Sequence, residues 1–250
     1  MIILGLVFIQ ITIRQVGRFS FKIWQVMLAG AILALLTGEI SPGDAVHAIN
    51  PGVMLFLLGM FIVGEGVKSS GLLEDCIDWI CSHATSGDML LLLVTWTMGL
   101  LSAVLMNDTI AIIGAPLILV LAGRFGVSKP GAMIALCFSV TTGSVFSPIG
   151  NPQNYLIASY VTDMSPYLLF LSGLCIPTMF SLFVIHIFLR PFFKGAKIPE
   201  GSCMTRTVSP EISKKPVYLS FLLIFSGIAT QVINGIFNSG WAVPIEWVAI

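Results

Sequence analysis

Charge is what this chain has least of: Asp, Glu, Lys and Arg together make up 10% of its 250 residues, against about 25% in ordinary soluble domains. The charge that exists is balanced, twelve basic against twelve acidic side chains. No basic field is available to hold nucleic acid, and there is no acidic tail. Histidine is almost missing, with three in all, none at membrane depth. No HExxH or GxSxG pattern occurs, so an enzyme would lack its nucleophile, base or metal set. Framework cysteines are missing too. Cys76, Cys81, Cys137, Cys175 and Cys203 are an odd number, lie in or near apolar segments, and are expected to be reduced thiols rather than a secreted disulfide scaffold. Cys76, Cys81 and His83 do not follow a usual zinc spacing, and no metal or other cofactor is expected. Finally, no positive residue precedes the first apolar run MIILGLVFIQITI, which is the wrong charge order for a cleaved signal peptide. That run reads as a retained span.

What is present is apolar surface. Hydrophobic residues make up 56% of the chain and the mean hydropathy is +0.99, so the expectation is an all-α integral membrane protein. About 20 residues of helix cross a hydrocarbon core of about 30 Å. Long uncharged runs lie at 1–13, 23–40, 53–67, 130–161 (interrupted), 167–189 and 217–235. A further pair, 89–106 and 110–123, flanks Asn107-Asp108-Thr109 and reads as a hairpin over about 88–124. Its return arm, counted after the polar tip, is too short to cross, which favours a re-entrant hairpin. Five tryptophans and four tyrosines fit anchoring at the membrane interfaces.

Positive residues set the topology, because cytoplasmic loops are enriched in Lys and Arg. Alternating the spans from an outside N-terminus places Arg14, Arg18, Lys22, Lys68, Arg124, Lys129, Arg190, Lys194, Lys197, Arg206, Lys214 and Lys215, every Lys and Arg present, on the cytoplasmic side. The opposite loops at 39–52, 162–166 and 236–246 are acidic or neutral. The expected location is the plasma membrane. Residues 72–84 put Leu72, Leu73, Cys76, Ile77 and Ile80 on one face and Glu74, Asp75 and Asp78 on another, the pattern of an amphipathic helix lying along the cytoplasmic surface. Glu65, between two glycines at the end of its span, reads as a helix-end residue reaching water, and His186, one turn from Arg190, as interfacial.

Residues 191–216 read as a cytoplasmic linker separating a complete N-terminal repeat, 1–190, from the start of a second, 217–250. Five crossings before the linker make the second copy start from the other side, which defines an inverted repeat. Residues 245–248 faintly echo 22–26. Because the chain stops in an apolar run, a longer parent chain is expected.

Two places break the apolar pattern at membrane depth. The first is Asn107-Asp108-Thr109. An intramembrane carboxylate costs roughly 2.5 to 3.5 kcal/mol on insertion scales and marks a cation, proton or substrate partner; the alternative is a helix cap formed by Asp108 or Thr109. The second runs from Thr141 to Asn154, with two glycines, two prolines and many hydroxyl and amide groups. No continuous helix tolerates that composition, and discontinuous helices in transporters present carbonyls to cations and N-termini to anions. A proline-kinked structural helix is the plainer alternative.

The tip Leu105-Met106-Asn107-Asp108-Thr109 followed by Pro116, together with Gly143-Ser144 through Gly150-Asn151-Pro152-Gln153-Asn154, resembles the paired signatures of the ion transporter superfamily, which includes citrate transporters, arsenite permeases, plant silicon exporters and anion–sodium symporters. The resemblance implies an inverted-repeat transporter fold with a re-entrant hairpin and a broken transmembrane helix that meet near the midplane. It implies a cation or substrate site built from Asn107, Asp108, Thr109, Gly150, Asn151 and Asn154, with Ser144 and Ser147 as additional ligands, and a matching half-site from the second repeat. It further implies a homodimer. The Asn-Asp-Thr and Gly-Asn-Pro-Gln-Asn forms are closer to the arsenite and silicon branch than to the Ser-Asn-Thr and Gly-Thr-Pro-Pro-Asn of the anion–sodium symporters. The expected function is therefore secondary transport of an anion or oxyacid coupled to protons or sodium. A citrate or dicarboxylate symporter and a sodium–proton antiporter are the alternatives.

Overall fold

The computed structural model describes residues 2–13, 15–16, 19–161, 165–197 and 213–237. The middle of the expected linker, the weak echo at 245–248 and Cys203 lie outside the described residues. The chain divides into two compact units, Met1–Pro51 and Gly52–Ile250.

In the first unit, α1 (Ile2–Ile13) packs against α2 (Ile23–Leu36). Gly30 makes the approach possible, since a Cβ there would lie 2.4 Å from Val7 Cγ2. Between them, β1 (Gln15–Val16) and β2 (Phe19–Ser20) pair antiparallel, with Val16 opposite Phe19. These two short strands are the one departure from an all-α fold among the described residues. The second expected span ends four residues early: α2 stops at Leu36, and Gly38 follows at φ +70°, a left-handed conformation that glycine adopts without steric cost. A short α3 (Pro42–His47) starts at Ser41, whose hydroxyl accepts the Asp44 amide at 3.1 Å.

The second unit contains α4 (Pro51–Ser69), α5 (Leu72–His83), α6 (Gly87–Leu105), α7 (Asn107–Phe125), α8 (Lys129–Gly143), α9 (Pro152–Ser159), α10 (Pro166–Phe193) and α11 (Lys214–Phe237). Among the described residues, five helices are long and apolar enough to cross a membrane. The core lies where α6, α7, α8 and α10 pack together. At its centre α6 and α8 are nearly in backbone contact: a Cβ on Gly143 would lie 2.1 Å from the Gly99 carbonyl oxygen. One turn on, the Ser102 hydroxyl reaches the carbonyls of Gly99 at 2.7 Å and Val140 at 2.8 Å. Small residues that let backbones approach are the usual device for joining helices in lipid, where there is no hydrophobic force between them.

Two expectations about these elements need correction. The hairpin's return arm is 19 residues rather than 14, because Asn107, Asp108 and Thr109 form the first turn of α7 and the helix runs on to Phe125. Each arm is then about 28 Å long, so length no longer argues for re-entrance. The helix α5 has the expected amphipathic pattern, but Leu73, Ile77, Ile80 and Cys81 are buried against α6 and α7. Protein, not lipid, covers that face. Burial pushes the Cys76 thiol pKa up, and the adjacent Asp75 carboxylate adds to the shift. Cys76, Cys137 and Cys175 are free thiols.

Helix ends that the charge pattern assigns to one side meet in space. Arg190 at the end of α10 grips Asp88 at the start of α6 in a bidentate pair, Nε to Oδ1 at 2.6 Å and Nη2 to Oδ2 at 3.1 Å, with the buried His186 ring at 3.4 Å from the same carboxylate. The Lys197 amide donates to the Phe125 carbonyl at 2.7 Å. Gly131 at the start of α8 lies under the Phe192 side chain. At the start of α11, the Lys214 ammonium pairs with the Asp75 carboxylate of α5.

Candidate ion and substrate site

The broken helix is a true interruption. After α8 ends at Gly143, Ser144–Phe146 forms a single 3-10 turn, Ser147 is extended, and helix resumes at Pro152 behind the Asn151 cap. Two arms of 15 and 8 residues result, about 22 and 12 Å long, and neither crosses alone. A proline kink would leave the helical ladder running through; here it stops. Gly150 is required at its position, because a Cβ there would lie 2.2 Å from the Ser144 carbonyl oxygen.

The polar side chains of the break mostly satisfy the break itself. The Asn154 carboxamide nitrogen donates to the carbonyls of Ser147, Val145 and Ser144 at 2.9, 3.0 and 3.2 Å, which are groups freed by the loss of helix. Asn151 caps α9, its Oδ1 accepting the Asn154 amide at 2.7 Å, while its Nδ2 reaches the Ser144 hydroxyl at 3.3 Å. The Ser144 hydroxyl donates in turn to the Thr141 carbonyl at 2.9 Å. Of the residues expected to be ligands, Ser144, Asn151 and Asn154 therefore spend these polar atoms on the loop. Ser147 and Pro148 line an apolar cavity of about 620 Å3 between α6, α10 and α11.

The hairpin tip is a single residue, Met106, with φ +63° and ψ 135°. For a side chain of this size the conformation costs about 1–3 kcal/mol and persists only when its surroundings over-determine it. Those surroundings are a buried cluster of Phe56, Met60, Ile149 and Tyr155, in which Met106 has no exposed surface. Sequence reading passed over Met106, because positive φ leaves no signature in a methionine.

Tip and break are joined directly. The Asn107 amide donates to the Gly150 carbonyl at 2.9 Å, which satisfies an end-of-helix donor of α7 with an out-of-helix acceptor beside α9. The Asn107 side chain takes the next amide, that of Asp108, at 2.8 Å. Neither Asp108 nor Thr109 caps the helix, so the cap alternative does not describe this tip. Asp108 is exposed, and its carboxylate makes no hydrogen bond or ion pair among the described residues. Thr109 is buried, with its hydroxyl oxygen left without a partner.

The joint thus gathers two helix N-termini, each carrying the positive end of a helix dipole, an unpaired carboxylate and a dehydrated hydroxyl. This set can accommodate an anion at the helix ends and a cation at the carboxylate. No group of three or more His, Cys, Asp or Glu that could hold a metal ion occurs among the described residues.

A family model described as citrate transporter (CitMHS) matches residues 6–248. The chain belongs to the citrate transporter family. Its similarity extends to the silicon efflux transporter LSI3 of Oryza sativa subsp. japonica, 27% identical over 70% of this chain and 36% of that protein. It also extends to the uncharacterized transporter Rv2685 of Mycobacterium tuberculosis, 24% identical over 85% of this chain and 50% of that protein. The putative transporter arsB of Dictyostelium discoideum is 24% identical over 53% of this chain and 23% of that protein. The chain therefore spans half or less of the length of these relatives. No solved structure matches it. Membership of the citrate transporter family, with five helices of the required length and apolarity among the described residues, makes this a multi-pass membrane protein of a transporter family. It bears out the superfamily resemblance carried by the two motifs.

Proposed function

We propose that the chain is the first repeat, with the start of a second, of a secondary transporter that carries an anion or oxyacid by alternating access, coupled to protons or sodium. The observation that supports this most is the Asn107–Gly150 hydrogen bond. It joins the residue before Asp108, whose carboxylate is unpaired, to the interruption of a membrane helix, and in this reading a coupling cation and an anionic or neutral oxyacid share one site there. Asn107, Asp108 and Thr109 are the candidate ligands, and Gly150, Ser144, Ser147, Asn151 and Asn154 build the facing wall. The Asn-Asp-Thr and Gly-Asn-Pro-Gln-Asn forms favour an arsenite- or silicon-type oxyacid. A citrate symporter is the second reading, favoured by the description of the matching family.

In this reading the helix ends around Asp88 and Arg190 face the cytoplasm, the N-terminus lies outside the plasma membrane, and a second repeat completes the site within a homodimer. The decisive substitution is Asp108→Asn, which keeps the size and polarity of a side chain that caps nothing here and removes its charge. Gradient-driven uptake of arsenite, silicic acid or citrate into proteoliposomes should be lost while insertion and assembly persist. An Asn variant that keeps the wild-type dependence on an imposed proton or sodium gradient would move the coupling site away from Asp108.

A further inference from the structure

The helix α4 was expected to be only a span, yet one face of it tracks the joint between tip and break. Phe56 stacks on Tyr155 of α9, with ring centroids 4.1 Å apart and planes at 6°. Met60, one turn on, shares the buried cluster of Met106 and Ile149. Gly64, a further turn on, meets Thr109 of the tip: a Cβ there would lie 2.6 Å from Thr109 Cγ2, 3.0 Å from Oγ1 and 3.4 Å from Cβ. Residues 56, 60 and 64 share a face by their spacing of four. Alanine would suit a helix interior better than glycine, so helix propensity does not account for the glycine. The contact does. It closes over Thr109, a residue 5% exposed whose hydroxyl oxygen is buried and has no hydrogen-bond partner, an arrangement that leaves its lone pairs for a ligand.

We infer that Gly64 is a positioning residue of the transport site: by lacking a side chain it lets α4 close on the hairpin tip and holds the Thr109 hydroxyl, dehydrated and unengaged, at the joint. This rests on Thr109 belonging to the site. The Cβ of Gly64→Ala would collide first with the Thr109 methyl group, and Thr109→Ser removes that methyl while keeping the hydroxyl. In the full-length protein, Gly64→Ala should speed hydrogen exchange at the amides of residues 106–110 by about tenfold and raise the KM for arsenite or citrate uptake by a similar factor, since a displacement of about 1 Å can cost two orders of magnitude in a preorganised site. The double variant Gly64→Ala/Thr109→Ser should return both to within about twofold of wild type. If Gly64→Ala alone accumulates poorly, recovered accumulation in the double variant reports the same contact. Unchanged exchange in Gly64→Ala, or no recovery on adding Thr109→Ser, overturns the inference. Exchange is read without any carried substrate, so a site misplaced at Asp108 and a mistaken role for Gly64 give different results.

Discussion

The Asn154 carboxamide nitrogen faces three carbonyls, those of Ser144, Val145 and Ser147, although it has only two hydrogens to give. At residue scale this side chain replaces part of the helical ladder that Pro148, Gly150 and Pro152 interrupt. Asn154→Ala should destabilise the protein by about 1–3 kcal/mol, the usual cost of losing the donor to a buried acceptor: the Val145 carbonyl loses its side-chain partner, while those of Ser144 and Ser147 keep the amides of Ser147 and Gly150. Asn154→Asp should be worse, since it keeps the shape but turns lone pairs toward carbonyl oxygens. Thermal unfolding of the two variants in detergent checks the order; an Asp variant as stable as wild type would mean that the break is held by other groups. The motif marks Asn154 as important without saying that it builds the site from behind. That role depends on which carbonyls lose their helical partners, and the answer lies in the folded backbone.

At the scale of elements, the helix α5 separates what a pattern says from what a fold decides. Alternation of Leu73, Ile77 and Ile80 with Glu74, Asp75 and Asp78 gives an apolar face in any environment, and lipid and protein are equally good at covering it. Here Ile77 and Ile80 have no exposed surface, while Trp79 is 48% exposed. Ile80→Ala should therefore cost about 2–5 kcal/mol of folding stability, as for a core cavity, and Trp79→Ala about 0.5 kcal/mol or less, as for a surface position. Chemical unfolding in detergent distinguishes the two; equal, small effects would return α5 to the membrane surface. The hairpin arm shows the same limit from the other side. Asn107, Asp108 and Thr109 look like a turn when counted by polarity, yet such residues are also suited to a first helical turn, where free amides and the helix dipole welcome them. The Gly150 carbonyl, contributed by a distant segment, decided between the two.

For the whole molecule, the positive residues make a testable map. Single cysteines placed in a thiol-free background between residues 195 and 213 should be protected from an impermeant maleimide in intact cells and react once the cells are opened, whereas one at Asn50 should react from outside. The reverse pattern inverts the orientation. Within the second unit, Asp88 meeting Arg190, and Lys197 meeting Phe125, join the helix ends that Lys and Arg placement assigned to one side. Charge placement predicts that these ends share a side. It could not foresee that Asp88 and Arg190, 102 residues apart, form a bidentate pair.

Composition and periodicity alone determined that this is a helical membrane protein, where most of its spans run, and that one helix must break between Thr141 and Asn154; the family came from the resemblance of the two motifs. These follow from local causes: apolar run length against bilayer thickness, and the inability of proline and glycine to sustain a helix. Only the tertiary structure decided that the Asn107 amide seeks the Gly150 carbonyl, that Gly64 lies against Thr109, that Gly99 and Gly143 let two helices touch, and that protein covers α5. The first three are contacts between residues 43, 45 and 44 positions apart in the chain, made where one side chain is missing or one backbone group lacks its helical partner, and all four fits exist only once the helices have packed.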